Sequence, residues 1–195
     1  MITLDDSDRS EILRYLGYRN NEITEVVEKE IREAVDITNK VSDIRSVWKL
    51  FQITSTRKGL SLGDTQTVLT GKSIRKHLKG CREAILFCVT LGSDFDAEVE
   101  KRMITEPALG VIMNACGVAL IEKACDDLQA QVDITLKDKK TGQRFSPGYG
   151  DLPLETQVDI IRILNCERTV GVRLNRNFLM NPLKSVTAIA GISEV

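Results

Sequence analysis

The sequence predicts an α+β fold, and three observations lead there. The run Ala84-Ile85-Leu86-Phe87-Cys88-Val89 is continuously apolar, as suits a strand covered on both faces. An apolar stretch over about residues 107–132 suits a buried helix. Strands and helices are intermixed without a regular βαβ alternation, which favours α+β over α/β.

Taken in order, residues 7–16 and 22–39 read as helices separated by a polar turn at 17–22. The second helix carries Ile23, Val26, Val27, Ile31 and Val35 at helical spacing. Residues 1–40 thus form a helical N-terminal segment. Segments 44–53 and 59–70 read as strands, with Val47, Leu50, Phe51, Leu60, Leu62, Val68 and Leu69 in the apolar positions. A short basic helix follows, with Ser73 as its expected cap. After the apolar strand, Gly92-Ser93-Asp94 starts another helix, and the long helix comes next. Lys137 to Gly142 reads as a polar turn. Asp151 and Pro153 are start signals for a helix over 153–165, with Leu154, Val158, Ile161 and Leu164 on one face. Val172–Met180 and Ser185–Ile192 read as extended segments joined by Asn181-Pro182-Leu183-Lys184.

The chain has 195 residues, a length that suits one domain spanning 1–195. Its formal net charge of −1 makes no electrostatic case for nucleic acid or an anionic membrane as partner. The longest apolar stretch, Pro107 to Ile121, is shorter than the roughly 20 residues of a membrane span. No signal peptide is recognisable in Met1-Ile2-Thr3-Leu4-Asp5-Asp6. The five cysteines (Cys81, Cys88, Cys116, Cys125 and Cys166) are odd in number and scattered in spacing. They are expected to be reduced core thiols of a cytoplasmic protein. With no C-x-x-C pair and one histidine, His77, a zinc site is not expected.

Two motifs resemble phosphate sites and fail on spacing. Thr70-Gly71-Lys72-Ser73 ends like a phosphate-binding loop, but Gln66 stands where the first glycine is required. Gly92-Ser93-Asp94 follows a buried strand, yet Gly92 is the only glycine of a G-x-G-x-x-G pattern. Asp94 and Asp96 would also repel a phosphate.

The informative segment is Arg144-Phe145-Ser146-Pro147-Gly148-Tyr149-Gly150-Asp151-Leu152-Pro153-Leu154. Ser146 precedes a proline and is biased toward extended backbone. Gly148 is expected to let a ligand or strand approach the main chain. Arg144 is suited to gripping a carboxylate with two parallel hydrogen bonds. Tyr149 offers a ring face and a hydroxyl, suiting a purine or a sulfonium. These are the needs of S-adenosylmethionine, although a plain Pro-Gly turn accounts for the same residues.

Arg144-x-Ser146-Pro147-Gly148-Tyr149, followed by a proline-marked helix, resembles the R-x-x-P-G-Y loop of the activation domain of cobalamin-dependent methionine synthase. Leu13-Arg14-Tyr15-Leu16-Gly17-Tyr18, Phe87-Cys88-Val89-Thr90-Leu91-Gly92 and Phe178 to Ile189 resemble further stretches of the free-standing members, in the same order. The resemblance implies that domain's fold, an antiparallel sheet with helices packed around it. It also implies S-adenosylmethionine contacts at Arg144, Tyr149 and the backbone near Ser146. A glutamate on the upstream helix is a family contact too, and Leu120-Ile121-Glu122-Lys123-Ala124 resembles its surroundings. Glu122 is of interest independently: on a helix it neighbours Ala115, Val118, Ala119 and Cys125. A carboxylate there needs a partner, such as a ligand ammonium or Arg144, unless it reaches solvent.

The activity implied is the reductive methylation of cob(II)alamin to methylcobalamin, with S-adenosylmethionine as methyl donor and flavodoxin or a similar protein as electron donor. The chain lacks the Asp-x-His-x-x-Gly motif that supplies a cobalt ligand, so cobalamin is expected on a partner, a methionine synthase lacking its own activation domain. Positioning suffices for such a role, and no catalytic residue or metal ligand is assigned. Trp48 is the only tryptophan, and an acidic contact from a tryptophan-rich stretch of the multidomain enzyme has no counterpart that aligns. The family's longer members add a tyrosine contact beyond the last strand, so a more open site is expected here. The alternatives are an accessory protein of another corrinoid methyltransferase and a non-catalytic ligand-binding module of the same fold. The basic cluster Lys72, Arg75, Lys76, Lys79 and Arg82 reads as a solvated helix face or a dock for an acidic redox donor.

Overall fold

The computed structural model describes residues 2–18 and 23–194. Its elements in chain order begin with a 3-10 turn (Asp6–Asp8), α1 (Arg9–Tyr15), α2 (Glu25–Val41), β1 (Arg45–Ser55), β2 (Leu60–Leu62) and β3 (Val68–Leu69). Then come α3 (Lys72–His77), β4 (Glu83–Thr90), α4 (Ser93–Thr105), α5 (Pro107–Leu136) and β5 (Lys139–Phe145). The chain finishes with α6 (Thr156–Leu164), α7 (Cys166–Thr169), β6 (Arg173–Leu174), β7 (Met180–Asn181) and β8 (Ser185–Glu194).

Six strands form one sheet in the order β3-β2-β1-β4-β8-β5, and each neighbouring pair is antiparallel. The fold is α+β, as the sequence predicts. The β4 run is apolar at every position because both of its faces are covered. Ile85, Phe87 and Val89 point into a core shared with α1, α2, α4 and α5. Ala84, Leu86 and Cys88 point into a second core closed by α3, α6 and α7. Each Leu, Ile or Phe fully buried this way contributes about 1.5–3 kcal/mol over its exposed state.

Helix α5 is the longest element, and most of its length is buried against the sheet and the N-terminal helices. Small residues let it sit close. A side chain at Gly117 would overlap the ring of Phe95, and one at Gly110 would crowd the backbone at Met103. β8 answers with Ala188 and Ala190 on the face toward this helix. The helix is long and apolar enough by composition to cross a membrane, but it is the core helix of the α layer.

Several expectations are corrected. The segment 59–70 is two short strands, β2 and β3, paired with each other. Lys137 to Gly142 is not simply a turn: from Lys139 onward it is β5, a polar edge strand paired to β8. Val172–Met180 is interrupted by a turn at Asn175 to Leu179, leaving only the short pair β6 and β7. Ser73 does not cap α3. Gly71 occupies the cap position, and the Asp151 carboxylate accepts the N–H groups of Lys72 at 2.7 Å and Ser73 at 2.8 Å. Asp151 therefore serves a helix far away in sequence, while α6 begins only at Thr156. Its buried positions are Gln157, Ile160 and Leu164, and Val158 faces outward. On α2 the buried positions are Ile31, Ala34 and Thr38, with Val26 exposed. Of the turn expected at 17–22, residues 19–22 lie outside the described residues.

Candidate functional site

A β-bulge places Arg144. Thr141 pairs with Ile192 of β8 and Arg144 with Ala190, so three steps on β5 match two on β8. Side chains alternate along a strand, and in regular pairing the three steps from Thr141 to Arg144 would set them on opposite sides. The bulge restores the phase and turns Arg144 toward α5, the side to which Ala190 and Ile192 also point. Polar side chains support this irregular edge. Asp133 accepts the Thr141 N–H at 2.7 Å, Gln129 donates to Gly142 O at 2.9 Å, and a His77 ring nitrogen lies 2.8 Å from Gln143 O.

On α5, Glu122, Asp126 and Gln129 lie one turn apart on the face that Arg144 reaches. Arg144 Nη2 donates to Glu122 Oε2 at 2.7 Å, while Nη1 donates to Gln129 Oε1 at 2.9 Å and to the Asp126 carboxylate. The Arg144 side chain is 22% exposed, against 45% for Glu122 and 70% for Asp126. Burial alone would disfavour the charge on Arg144, but the two carboxylates outweigh it and its pKa is raised. Nearby, burial pushes the Cys125 thiol up to about 12, so this neighbour offers no thiolate.

The loop after β5 closes one side. Tyr149 N–H donates to Ser146 O at 3.2 Å, and Gly148 N–H donates to Leu152 O at 3.0 Å. Gly148 has φ +88°, a conformation that favours glycine. This turn geometry is a requirement for glycine at position 148 that holds with or without a ligand. Its missing Cβ would meet only Leu154 at ordinary contact distance. The close approach falls instead at Gly150, where a Cβ would stand 2.5 Å from Ser73 Oγ. Tyr149 is 65% exposed, its ring edge-on to Phe145 at 6.2 Å.

The opposite wall comes from α6 and β8. Gln157 is buried. Its Nε2 donates to Phe178 O at 2.6 Å and its Oε1 accepts from Thr187 Oγ1 at 3.2 Å. Phe178 has φ +61°, a strained conformation for a non-glycine residue, and Gln157 braces from outside a turn that also carries hydrogen bonds of its own to Asn175. That turn leads into Met180 and the wall of the cleft.

Together these elements enclose an open cleft of 370 Å³ lined by Glu122, Arg144, Ser146, Tyr149, Gln157, Met180, Ser185, Val186 and Thr187. Four of the five residues singled out from sequence, Glu122, Arg144, Ser146 and Tyr149, thus meet in one place; Gly148 shapes the turn without lining it. Glu122 is paired by Arg144, one of the two partners expected for it. Asp126, Gln129, Gln157 and Thr187 were not anticipated. Asp126 stands four residues after Glu122, a spacing that marks a shared helix face; Gln157 shows as a polar residue amid the apolar positions of α6. A larger cleft of 710 Å³ lies elsewhere, between the N-terminal segment, the end of α2 and α5, and shares none of these side chains.

No protein-family model matches the chain, and no curated protein sequence matches it. Among solved structures it is similar to the MetH reactivation domain bound to AdoHcy, with a TM-score of 0.71 and 17% identity. The match covers 94% of this chain and 73% of that one. At this identity the likeness establishes the fold: an antiparallel sheet with helices on both faces, arranged as in a methionine synthase reactivation domain.

Proposed function

We propose that the chain binds S-adenosylmethionine in the cleft between α5 and the Arg144–Asp151 loop and serves as the reactivation subunit of a cobalamin-dependent methionine synthase. The observation that supports this best is the meeting of Glu122, Arg144, Ser146 and Tyr149 around one cleft, in a fold shared with a reactivation domain solved with AdoHcy. The cleft's volume of 370 Å³ lies within the span of about 300–1,000 Å³ usual for small-ligand sites.

The residues present fit the ligand. Glu122 can accept a ligand ammonium. The Nε–H of Arg144 has no hydrogen-bond partner among the described residues and can donate to a ligand carboxylate. Tyr149 presents an exposed ring for a purine or the sulfonium. A corrinoid brought by a partner methionine synthase, reduced by flavodoxin or a similar donor, supplies the methyl acceptor. The chain's own share is to hold the donor methyl where an approaching partner can reach it, and the open mouth of the cleft suits that. The free cysteines accord with a reducing, cytoplasmic setting.

Calorimetric titration of S-adenosylmethionine into wild type and Arg144→Ala tests the reading, with circular dichroism to verify that the variant is folded. Binding by wild type that is lost in a folded variant is the expected result. A wild-type protein that takes up no ligand, alone or with a corrinoid partner, would overturn it.

A further inference from the structure

The charges around Arg144 do not balance. Its guanidinium meets two carboxylates, Glu122 and Asp126, so the trio carries 1 − 2 = −1. Only Glu122 and Arg144 line the cleft; Asp126 approaches Nη1 from the outer side, together with Gln129. Glu122 alone would leave the pair neutral. The surplus charge is therefore Asp126, held by the guanidinium just behind the cleft wall.

We infer that Asp126 is a specificity-determining residue that makes the cleft prefer a cationic S-adenosyl ligand, the sulfonium, over its neutral thioether product. This rests on the reading of the cleft as an S-adenosylmethionine site. S-adenosylmethionine carries an ammonium, a carboxylate and a sulfonium, a net charge of +1; loss of the methyl group leaves S-adenosylhomocysteine at zero. A site at −1 attracts the first and is indifferent to the second. The bias favours loading of donor and release of product at no cost in shape, because the two ligands differ by one methyl group. Asp126 is exposed, so its influence is moderated by water and salt.

The test is calorimetric titration of S-adenosylmethionine and S-adenosylhomocysteine into wild type, Asp126→Asn and Asp127→Asn. The first is measured at low ionic strength and again at about 0.5 M salt. Asp127, the adjacent residue, accepts from Gln131 and lines the other cleft, so it controls for loss of a charge on the same helix. In Asp126→Asn the affinity for S-adenosylmethionine should fall about three- to fivefold at low salt, with S-adenosylhomocysteine changed less than about twofold. The difference should shrink at high salt, and Asp127→Asn should leave the ratio of the two affinities near the wild-type value. Equal weakening of both ligands would mean that Asp126 merely holds Arg144, and equal strengthening that it competes with the ligand carboxylate; either overturns the inference while leaving the site intact. If neither ligand binds wild type, the reading of the cleft falls and this inference with it.

Discussion

The carboxylate of Asp151 accepts the main-chain N–H of Ser73 at 2.8 Å and joins two segments 78 residues apart. One end of the Arg144–Asp151 loop is thereby fastened to the start of α3, whose N-terminus has no side-chain cap of its own. The same packing brings Gly150 against Ser73, leaving no room for a larger residue.

Replacing Asp151 with alanine should release both ends of this tie. The melting temperature is expected to fall by about 2–4 °C, and affinity for S-adenosylmethionine should weaken as the loop loses its anchor. Thermal melts and calorimetry read the two effects separately; an unchanged melt would mean that the loop is held by other contacts.

Acid should weaken the fold in a defined window. Backbone hydrogen bonds from Ser73 and Lys72 hold the Asp151 pKa below its ordinary value. Hydrogen bonds from Ser7 and Lys123 bring Asp5 to about 2, and Glu28 and Glu98 are lowered by Arg9 and Arg102. A depressed folded-state pKa contributes stability that is present above the unfolded value and is lost as pH falls through the folded one. The melting temperature should thus hold steady from about pH 7 to 5 and drop progressively below about pH 4.5. A maximum on the acid side of pH 4 would contradict this.

Deleting Gly142 should remove the β5 bulge without turning Arg144 away. Two steps from Thr141 to Arg144 would then match the two from Ile192 to Ala190, so Arg144 would keep its pairing and still face α5. The fold should survive, because β5 is an edge strand, and ligand binding should be largely retained, unlike in Arg144→Ala. Calorimetry with a circular dichroism control decides the matter, and binding lost as fully as in Arg144→Ala would show that the bulge itself shapes the site.

Gln157→Leu removes the buried partner of both Phe178 O and Thr187 Oγ1. Leaving these groups unsatisfied should cost about 1–3 kcal/mol in denaturant unfolding. Hydrogen exchange at the Asn175–Leu179 turn should rise in step; protection equal to wild type would argue that the turn is held from elsewhere.

Much of this architecture is legible in the sequence where the cause is local. The apolar run of β4 and the long helix α5 announce themselves because burial on several sides demands it, and the Arg144–Tyr149 loop is marked by its own proline and glycine. What is hidden depends on distant partners. β5 is polar because it is an edge strand, held by the β8 backbone and by Asp133 and Gln129, so no hydrophobic alternation marks it. The cap of α3 comes from Asp151, which reads locally as the start of the next helix. Gln157 looks like an ordinary helical glutamine until the strained Phe178 carbonyl is brought over it.

The bulge at Thr141–Arg144 gives the site a tolerance to change in length. A strand offers a side chain only two directions, and Arg144 takes its own from its pairing with Ala190. Point substitutions at Gly142 or Gln143 leave that pairing alone, and loss of one residue turns a three-against-two match into a regular two-against-two. A lineage that drifts widely in sequence along this edge, or sheds one residue of it, can therefore keep its arginine aimed at α5.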